Sequence, residues 1–273
     1  MPDTLESDAI NAAVQGTIFA DQLHIFPSIE STNTYAMQQG AKGAPHGSVY
    51  VAEEQTAGRG RGAHAWHSEP CAGLYVSVLL RPEMQPADAL WMSLASGLAV
   101  LQAVETVTGM VADIRWPNDL MFGSRKFGGI LAEMHAESTC VRYAVIGIGI
   151  NVNHRQFPAE LNDVATSLYL ESKRSPLRQD LLIAILKALD ARIGALMQPE
   201  SFSQATGDIL ACMEQKSSWV RGKHVFVDEA GGYTGVTAGL DSSGFLRVQT
   251  PSEVRIVLSG GVRENTPASM EIK

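Results

Sequence analysis

The chain has 273 residues, enough for one large domain plus a small one with a substantial core. Its 45% hydrophobic and 18% charged residues are those of a globular protein, and a formal net charge of −8 argues against broad binding to nucleic acid or an anionic membrane while leaving room for a local basic site. Cys71, Cys140 and Cys212 are far apart and form no C-x-x-C pair, which speaks against a disulfide framework or a cysteine-based zinc site. The acidic start has no apolar signal region and no later run reaches membrane-spanning length, so a cytoplasmic protein is the simple expectation.

Residues 1–20 carry no strong pattern and read as a frayed terminus or a short helix, too few for a helix-turn-helix DNA-binding domain ahead of the rest. Gln22 to Phe26 reads as a short strand ended by Pro27. Ser31, Thr32 and Asn33 are good N-cap residues for a helix to about Gln39 that Gly40 can close. Their hydroxyl and amide groups could alternatively hold a polar ligand head. Ser48 to Glu53 is strand-like and runs into Ala57-Gly58-Arg59-Gly60-Arg61-Gly62-Ala63-His64-Ala65-Trp66. Glycines let a ligand approach the backbone, and arginines offer planar donor forks matched to carboxylate or phosphate. A flexible loop of this kind suits an anionic ligand whose binding orders it. Taken alone, the stretch fits an anion-binding loop and a plain connector equally well. Gly58, Gly60 and Ala63 also fit the dinucleotide pattern G-x-G-x-x-G/A, but His64 to Gly73 lacks the helical period that pattern needs. An Arg-Gly nucleic-acid segment would be a longer repeat on a basic chain.

Leu74 to Leu80 reads as a core strand, and Ala87 to Thr108 as an amphipathic helix with Leu90, Leu94, Leu98 and Leu101 on one stripe, ended by Gly109. Val111 to Trp116 is the next strand, followed by turn chemistry at Pro117-Asn118-Asp119 and a II′-type hairpin at Gly123-Ser124. Lys126 on the returning strand, beside Gly128-Gly129, fits a phosphate site somewhat better than a plain surface hairpin. Cys140 to Ile148 is an apolar strand leading into Gly147-Ile148-Gly149-Ile150-Asn151-Val152-Asn153, where two glycines mark close approach of backbone or ligand. Ser175-Pro176 is expected to start a helix carrying Leu182, Ile185, Leu189, Ile193 and Leu196, and a further helix is expected from Phe202 to about Gln215. Four short strands then follow, at Lys223 to Val227, Tyr233 to Ala238, Phe245 to Thr250 and Val254 to Leu258. The turns Gly231-Gly232, Ser243-Gly244 and Gly260-Gly261 punctuate a small all-β barrel. His64-x-x-His67 with Cys71 has loose ligand spacing and no fourth candidate nearby, so no metal site is expected.

Five motifs occur in one order: Ser31-Thr32-Asn33; Gln55-x-x-Gly58-Arg59-Gly60-Arg61; Trp116-Pro117-Asn118-Asp119; Lys126-x-x-Gly129-Ile130-Leu131; and Gly147-Ile148-Gly149-Ile150-Asn151. Together with Ala165-Thr166-Ser167-Leu168 and the β-rich tail, this order resembles the biotin protein ligases. The resemblance implies an α+β fold: a mixed-sheet catalytic domain related to class II aminoacyl-tRNA synthetases (residues 1–218), then a small C-terminal SH3-like β-barrel (219–273). It implies ATP and biotin as substrates, Mg²⁺ with the nucleotide, and a biotin carboxyl carrier protein or domain as partner, with acetyl-CoA carboxylase the usual destination. A homodimer through exposed sheet edges is left open, and neither DNA nor membrane is an expected partner.

By the same resemblance Ser31, Thr32, Asn33 and Gln55 would bind the ureido ring, with Gly129 and Leu131 as wall of the slot. Arg59, Gly60 and Arg61 would contact biotin and close over the adenylate, and Gly58 belongs to the same nucleotide-side loop. Lys126, with Arg61, would carry catalysis by stabilising charge between carboxylate and α-phosphate. Trp66 would pack on the adenine, while Asn118, Asp119 and Asn151 would serve the nucleotide and its Mg²⁺. Three departures stand out. Gly62-Ala63-His64 replaces the middle of a loop that usually reads G-R-G-R-x-G-R-x-W. Arg115 stands where lysine is frequent, and Gly261 replaces the glutamate of a common S-G-E-V. Lipoate or octanoate ligases or transferases share the implied fold and are the nearest rival. A non-catalytic biotin- or nucleic-acid-binding module is a rival from another class.

Overall fold

The computed structural model describes residues 3–229, 231–259 and 261–265. Two sheets organise the chain. The larger takes β1 (Leu23–Phe26), β2 (Val49–Ala52), β3 (Gly73–Leu80), β4 (Asp113–Arg115), β5 (Asp119–Phe122), β6 (Arg125–Ala136) and β7 (Val141–Asn151), in the order β1-β2-β3-β7-β6-β5-β4. Only β1–β2 is parallel, so the sheet is mixed. Central β3 is buried throughout, and apolar but for Ser77 and the Tyr75 hydroxyl, because both its faces are covered.

Alternation along β3 and β7 divides the side chains between two different faces. Leu74, Val76, Val78 and Leu80 of β3 join Ile146, Ile148 and Ile150 of β7 in the main core, under α3 (Ala89–Thr108) and α5 (Arg178–Met197). The other face presents Tyr75, Ser77 and Leu79 beside Tyr143, Val145, Gly147 and Gly149, partly covered by α2 (Thr32–Ala41). Gly129 pairs with Gly149, and Leu131 with Gly147, so this face loses its side chains where β6 and β7 meet. A cleft opens there.

α3 is apolar enough over residues 86–108 to pass for a membrane span, contrary to the expectation from sequence. Most of that stretch is buried between the sheet, α5 and α6 (Pro199–Lys216), so its hydropathy is that of a core helix. Gly109 ends it in the left-handed conformation at φ 71°. The β5–β6 hairpin turns at Gly123 with φ 57°, where a glycine is needed, and Phe122 pairs Arg125 across a two-residue loop.

Of the two readings of the opening stretch, the short helix holds among the described residues. α1 (Ser7–Ala13) and the turns after it place Ile10, Val14 and Phe19 in the main core. Ser175-Pro176 does not start α5, which begins at Arg178 after Leu177. Asp3 takes over the cap, accepting from the Arg178 backbone N–H at 3.0 Å. Gly40 lies inside α2, where a Cβ would strike the Tyr143 ring at 2.5 Å; the helix ends at Ala41, with Lys42 as its C-cap.

The second sheet is antiparallel, in the order β11-β10-β9-β8-β12, with β8 (Arg221–Asp228), β9 (Tyr233–Leu240), β10 (Leu246–Gln249), β11 (Val254–Val257) and β12 (Gly261–Glu264). The strand β12 was not anticipated, because Gly261 reads as turn; Gly260 lies outside the described residues. The two sheets share one core. Trp116 Nε1 donates to the Gly244 carbonyl at 2.9 Å, and Ser217 Oγ donates to the Ile114 carbonyl at 2.6 Å.

Candidate active site

Ser31 caps α2, accepting from the Thr34 N–H at 3.4 Å, and so delivers Thr32 and Asn33 onto the open sheet face; all three are buried. A network of neutral groups fixes them. Gln55 Oε1 accepts from the Thr32 N–H at 2.9 Å and its hydroxyl at 3.1 Å, while Gln55 Nε2 donates to Ser68 Oγ at 3.1 Å. Ser77 Oγ lies 2.8 Å from Thr32 Oγ1 and 2.6 Å from Asn33 Oδ1. The Asn33 amide occupies the space above Gly147, where a Cβ would stand 2.1 Å from Asn33 Oδ1, and its Nδ2 donates to the Leu131 carbonyl at 3.3 Å. Ser77 was not singled out from the sequence. Its one signal is a hydroxyl in the middle of the apolar run Leu74 to Leu80.

The cationic groups border this neutral pocket, and each has an internal partner. Arg59 makes a bidentate pair with Glu133, Nη2 to Oε1 at 2.6 Å, and Glu133 also accepts from Asn33 Nδ2 at 3.0 Å. Lys126 Nζ is salt-bridged to Asp119, whose other oxygen takes Arg115 at 2.6 Å. Burial alone would raise the Asp119 carboxyl, but Lys126 and Arg115 outweigh it and hold the group below its usual range. Arg61 donates to the carbonyl of Ser259, which lies between β11 and β12. Burial draws its pKa down, against the pull of Asp119 and Glu229. Glu133, too, escaped the sequence reading, since an acid on a long strand carries no mark of its own.

The loop 58–66 is a compact hairpin rather than an open flap. Gly58 accepts from the Trp66 N–H at 2.9 Å, Gly60 donates to the His64 carbonyl at 2.7 Å, and Arg59 bridges Ala65. Gly62 turns the tip at φ 65°, so the Gly62-Ala63-His64 departure is compatible with a closed loop. Trp66 lies over Gly149 and Gly129, with Lys126 Nζ 5.4 Å from its ring centre. A Cβ at Gly149 would be 2.6 Å from the indole, and the indole Nε1 is buried without a partner. The ring is therefore a wall of the slot on the sheet.

Two compartments result. One is a narrow slot lined by Ser31, Thr32, Asn33, Gln55, Tyr75, Leu131 and the glycines 129, 147 and 149. A second cleft, wider and more open, lies between the loop, Arg115 to Asp119 and the second sheet near Ser259 and Arg263. Gly60, Arg61, Trp66, Asn118 and Lys126 line both. Asn118 is held by mutual bonds with Ile130, 2.9 Å each way. Asn151 is not brought to either cleft. It is buried and donates to the Thr166 carbonyl at 3.0 Å, steadying the segment that also bonds the Lys126 backbone.

A model of the biotin/lipoate A/B protein ligase family matches residues 25–151. The biotin–[acetyl-CoA-carboxylase] ligase of Mycobacterium tuberculosis is 32% identical over 248 residues, covering 88% of each chain. This chain belongs to the biotin protein ligase family. Another relative in the family, the bifunctional ligase/repressor BirA of Bacillus spizizenii, is 37% identical over 193 residues, which are 70% of this chain. The chain spans 59% of that relative's length and 52% of BirA from Bacillus subtilis. Among solved structures, the biotin protein ligase from Aquifex aeolicus in complex with biotin and ATP superposes with a TM-score of 0.76 at 29% identity, over 90% of this chain and all of that one.

Proposed function

We propose that this protein is an ATP-dependent biotin protein ligase, with a catalytic unit over residues 1–218 and a small C-terminal domain over 219–273. One observation carries the reading: a neutral, glycine-floored slot and a wider polar cleft meet at Lys126 and Arg61. An uncharged hydrogen-bonding ring system suits the first, an anionic nucleotide the second, and the cations stand where a carboxylate would meet a phosphate.

In the first step a biotin carboxylate oxygen attacks the α-phosphorus of ATP. The bond to the β-phosphate oxygen breaks, and biotinyl-5′-AMP and pyrophosphate form. Carboxylate and triphosphate repel each other, so fixed positive charge between them lowers the barrier as negative charge redistributes. Lys126 and Arg61 supply that charge, and Arg59 reinforces it after leaving Glu133. Thr32, Asn33, Gln55 and Ser31 hold the ureido group, Leu131 and Gly129 flank the ring, and Trp66 covers it. Mg²⁺ would come with the nucleotide and neutralise charge on its phosphates; Asn118 and Asp119, on the wider cleft, are the residues that would serve it, Asp119 being paired with Lys126 and Arg115 beforehand. In the second step the ε-amine of a carrier lysine attacks the acyl carbon, an amide forms and AMP leaves. Closure of the loop until then protects the mixed anhydride from water. A biotin carboxyl carrier domain is the partner, and a cytoplasmic setting belongs to the same proposal.

The test is pyrophosphate release from the purified protein, followed by the mass of a carrier domain. Release that needs biotin and ATP together, with a biotinyl increment on one carrier lysine, is expected. Folded protein that releases none overturns the proposal. Biotin at 100 times its dissociation constant should add about 2.7 kcal/mol of stability, and lipoate at the same concentration should add far less.

A further inference from the structure

Beside the slot, behind Tyr75, three potential metal ligands converge from two distant parts of the chain. His67, Glu69 and His154 each offer one donor atom, and these atoms all lie within 4.8 Å of one another. His154 is fully buried, and its Nδ1 has no hydrogen-bond partner. Buried nitrogens without a partner are rare in folded proteins and call for an explanation. The ring is held rather than loose: Phe157 stacks on it at 5.3 Å and 8°, and its Nε2 lies 3.5 Å from the Tyr75 hydroxyl. That hydroxyl donates at 2.9 Å to the backbone carbonyl of Glu69, which ties the two ligand-bearing segments together. The His154 carbonyl accepts from Ser167 Oγ at 2.7 Å, fixing the backbone on the other side. His67 is half-buried, 5.9 Å from His154 between ring centres, and Glu69 is exposed.

We propose that His67, Glu69 and His154 form a binding site for one divalent transition-metal ion of the zinc type. Two imidazoles and one carboxylate are an established zinc donor set, with a fourth position left for water on the side where Glu69 meets solvent. The nitrogen ligands disfavour magnesium and calcium, which take oxygen. No electron or group transfer is involved. The ion would join the segment that follows Trp66 to the segment that follows β7, and so fix the outer root of the Arg-Gly loop. His154 stands far from His67 in the sequence, which is why the spacing around His64, His67 and Cys71 suggested no complete site.

The test uses the full chain, stripped with a chelator, dialysed against limiting Zn²⁺ and analysed for bound metal, with Zn²⁺ titrations for affinity. One zinc per chain is expected in the wild type. His67→Ala, at a half-buried position, and Glu69→Ala, at an exposed one, should keep the far-ultraviolet circular dichroism of the wild type and weaken zinc binding at least tenfold. His154→Gln should do the same, if it folds. Absence of stoichiometric zinc from the wild type overturns the site. So does undiminished affinity in folded His67→Ala and Glu69→Ala.

Discussion

The neutral pocket under α2 and the cationic rim around it solve opposite problems. In the pocket, Thr32, Asn33, Gln55 and Ser77 satisfy one another before any ligand arrives, and the cost of burying them is met within the fold. At the rim, Arg59, Lys126 and Arg61 carry charges that Glu133, Asp119 and the Ser259 carbonyl neutralise within the fold. In the proposed reaction these internal partners stand in for the anions of the substrates. The pocket is preorganised, while the rim must exchange partners. A ligand therefore gains affinity in the pocket by replacing few contacts, and at the rim only by the difference between its own oxygens and the internal ones.

That contrast can be broken most severely at Lys126. Lys126→Ala should lower pyrophosphate release by about 10²–10³-fold, as for loss of one charge-stabilising donor, while biotin still protects the protein thermally. Equal loss of biotin binding would place Lys126 in the pocket instead. In the pocket itself, Asn33→Ala removes the amide that accepts from Ser77 and donates to the Leu131 carbonyl. It should raise the KM for biotin roughly 10- to 100-fold, about 1–3 kcal/mol, with a far smaller effect on the KM for ATP. A matching rise for ATP would erase the division between compartments.

The remaining predictions sharpen the rim. Glu133→Gln frees Arg59 from a partly exposed ion pair, so stability should change by less than about 1 kcal/mol. Biotin affinity should rise a few-fold, measured by titration calorimetry, because Arg59 no longer leaves a carboxylate behind. The smallest effect belongs to Asp119. Its carboxyl is held low in the folded protein, so it contributes stability above the ordinary carboxylate pKa of about 3.9. That contribution is lost as pH falls through the lower folded value. Urea unfolding across the acid range should show a shallower acid limb for Asp119→Asn than for the wild type.

Periodicity made much of this fold legible. Leu74 to Leu80, the long apolar helix ending at Gly109 and the hairpin at Gly123 all follow from local chemistry that tertiary packing leaves intact. Elements that depend on distant partners were not legible. α1 is held by core contacts of Ile10, and α5 is capped from Asp3 rather than by its neighbours. The site divides in the same way. Ser31-Thr32-Asn33, the Arg-Gly loop and Lys126 announce themselves as motifs, and the structure assembles them around one slot. Ser77 and Glu133 join the site through register and packing: Ser77 pairs with Gly147 and reaches Asn33, and Glu133 meets Arg59. The place of Trp66 over the sheet depends on two bare glycines on β6 and β7, which only strand pairing reveals.

The exchange of partners at the rim is tested most directly by a crystal structure of the protein with a non-hydrolysable biotinyl-adenylate analogue. Arg59, Arg61 and Lys126 should then have left Glu133, the Ser259 carbonyl and Asp119 for the acyl-phosphate oxygens, while the bonds among Thr32, Gln55 and Ser77 stay within a few tenths of an ångström. If the analogue is bound and all three cations keep their internal partners, the account of the rim is wrong.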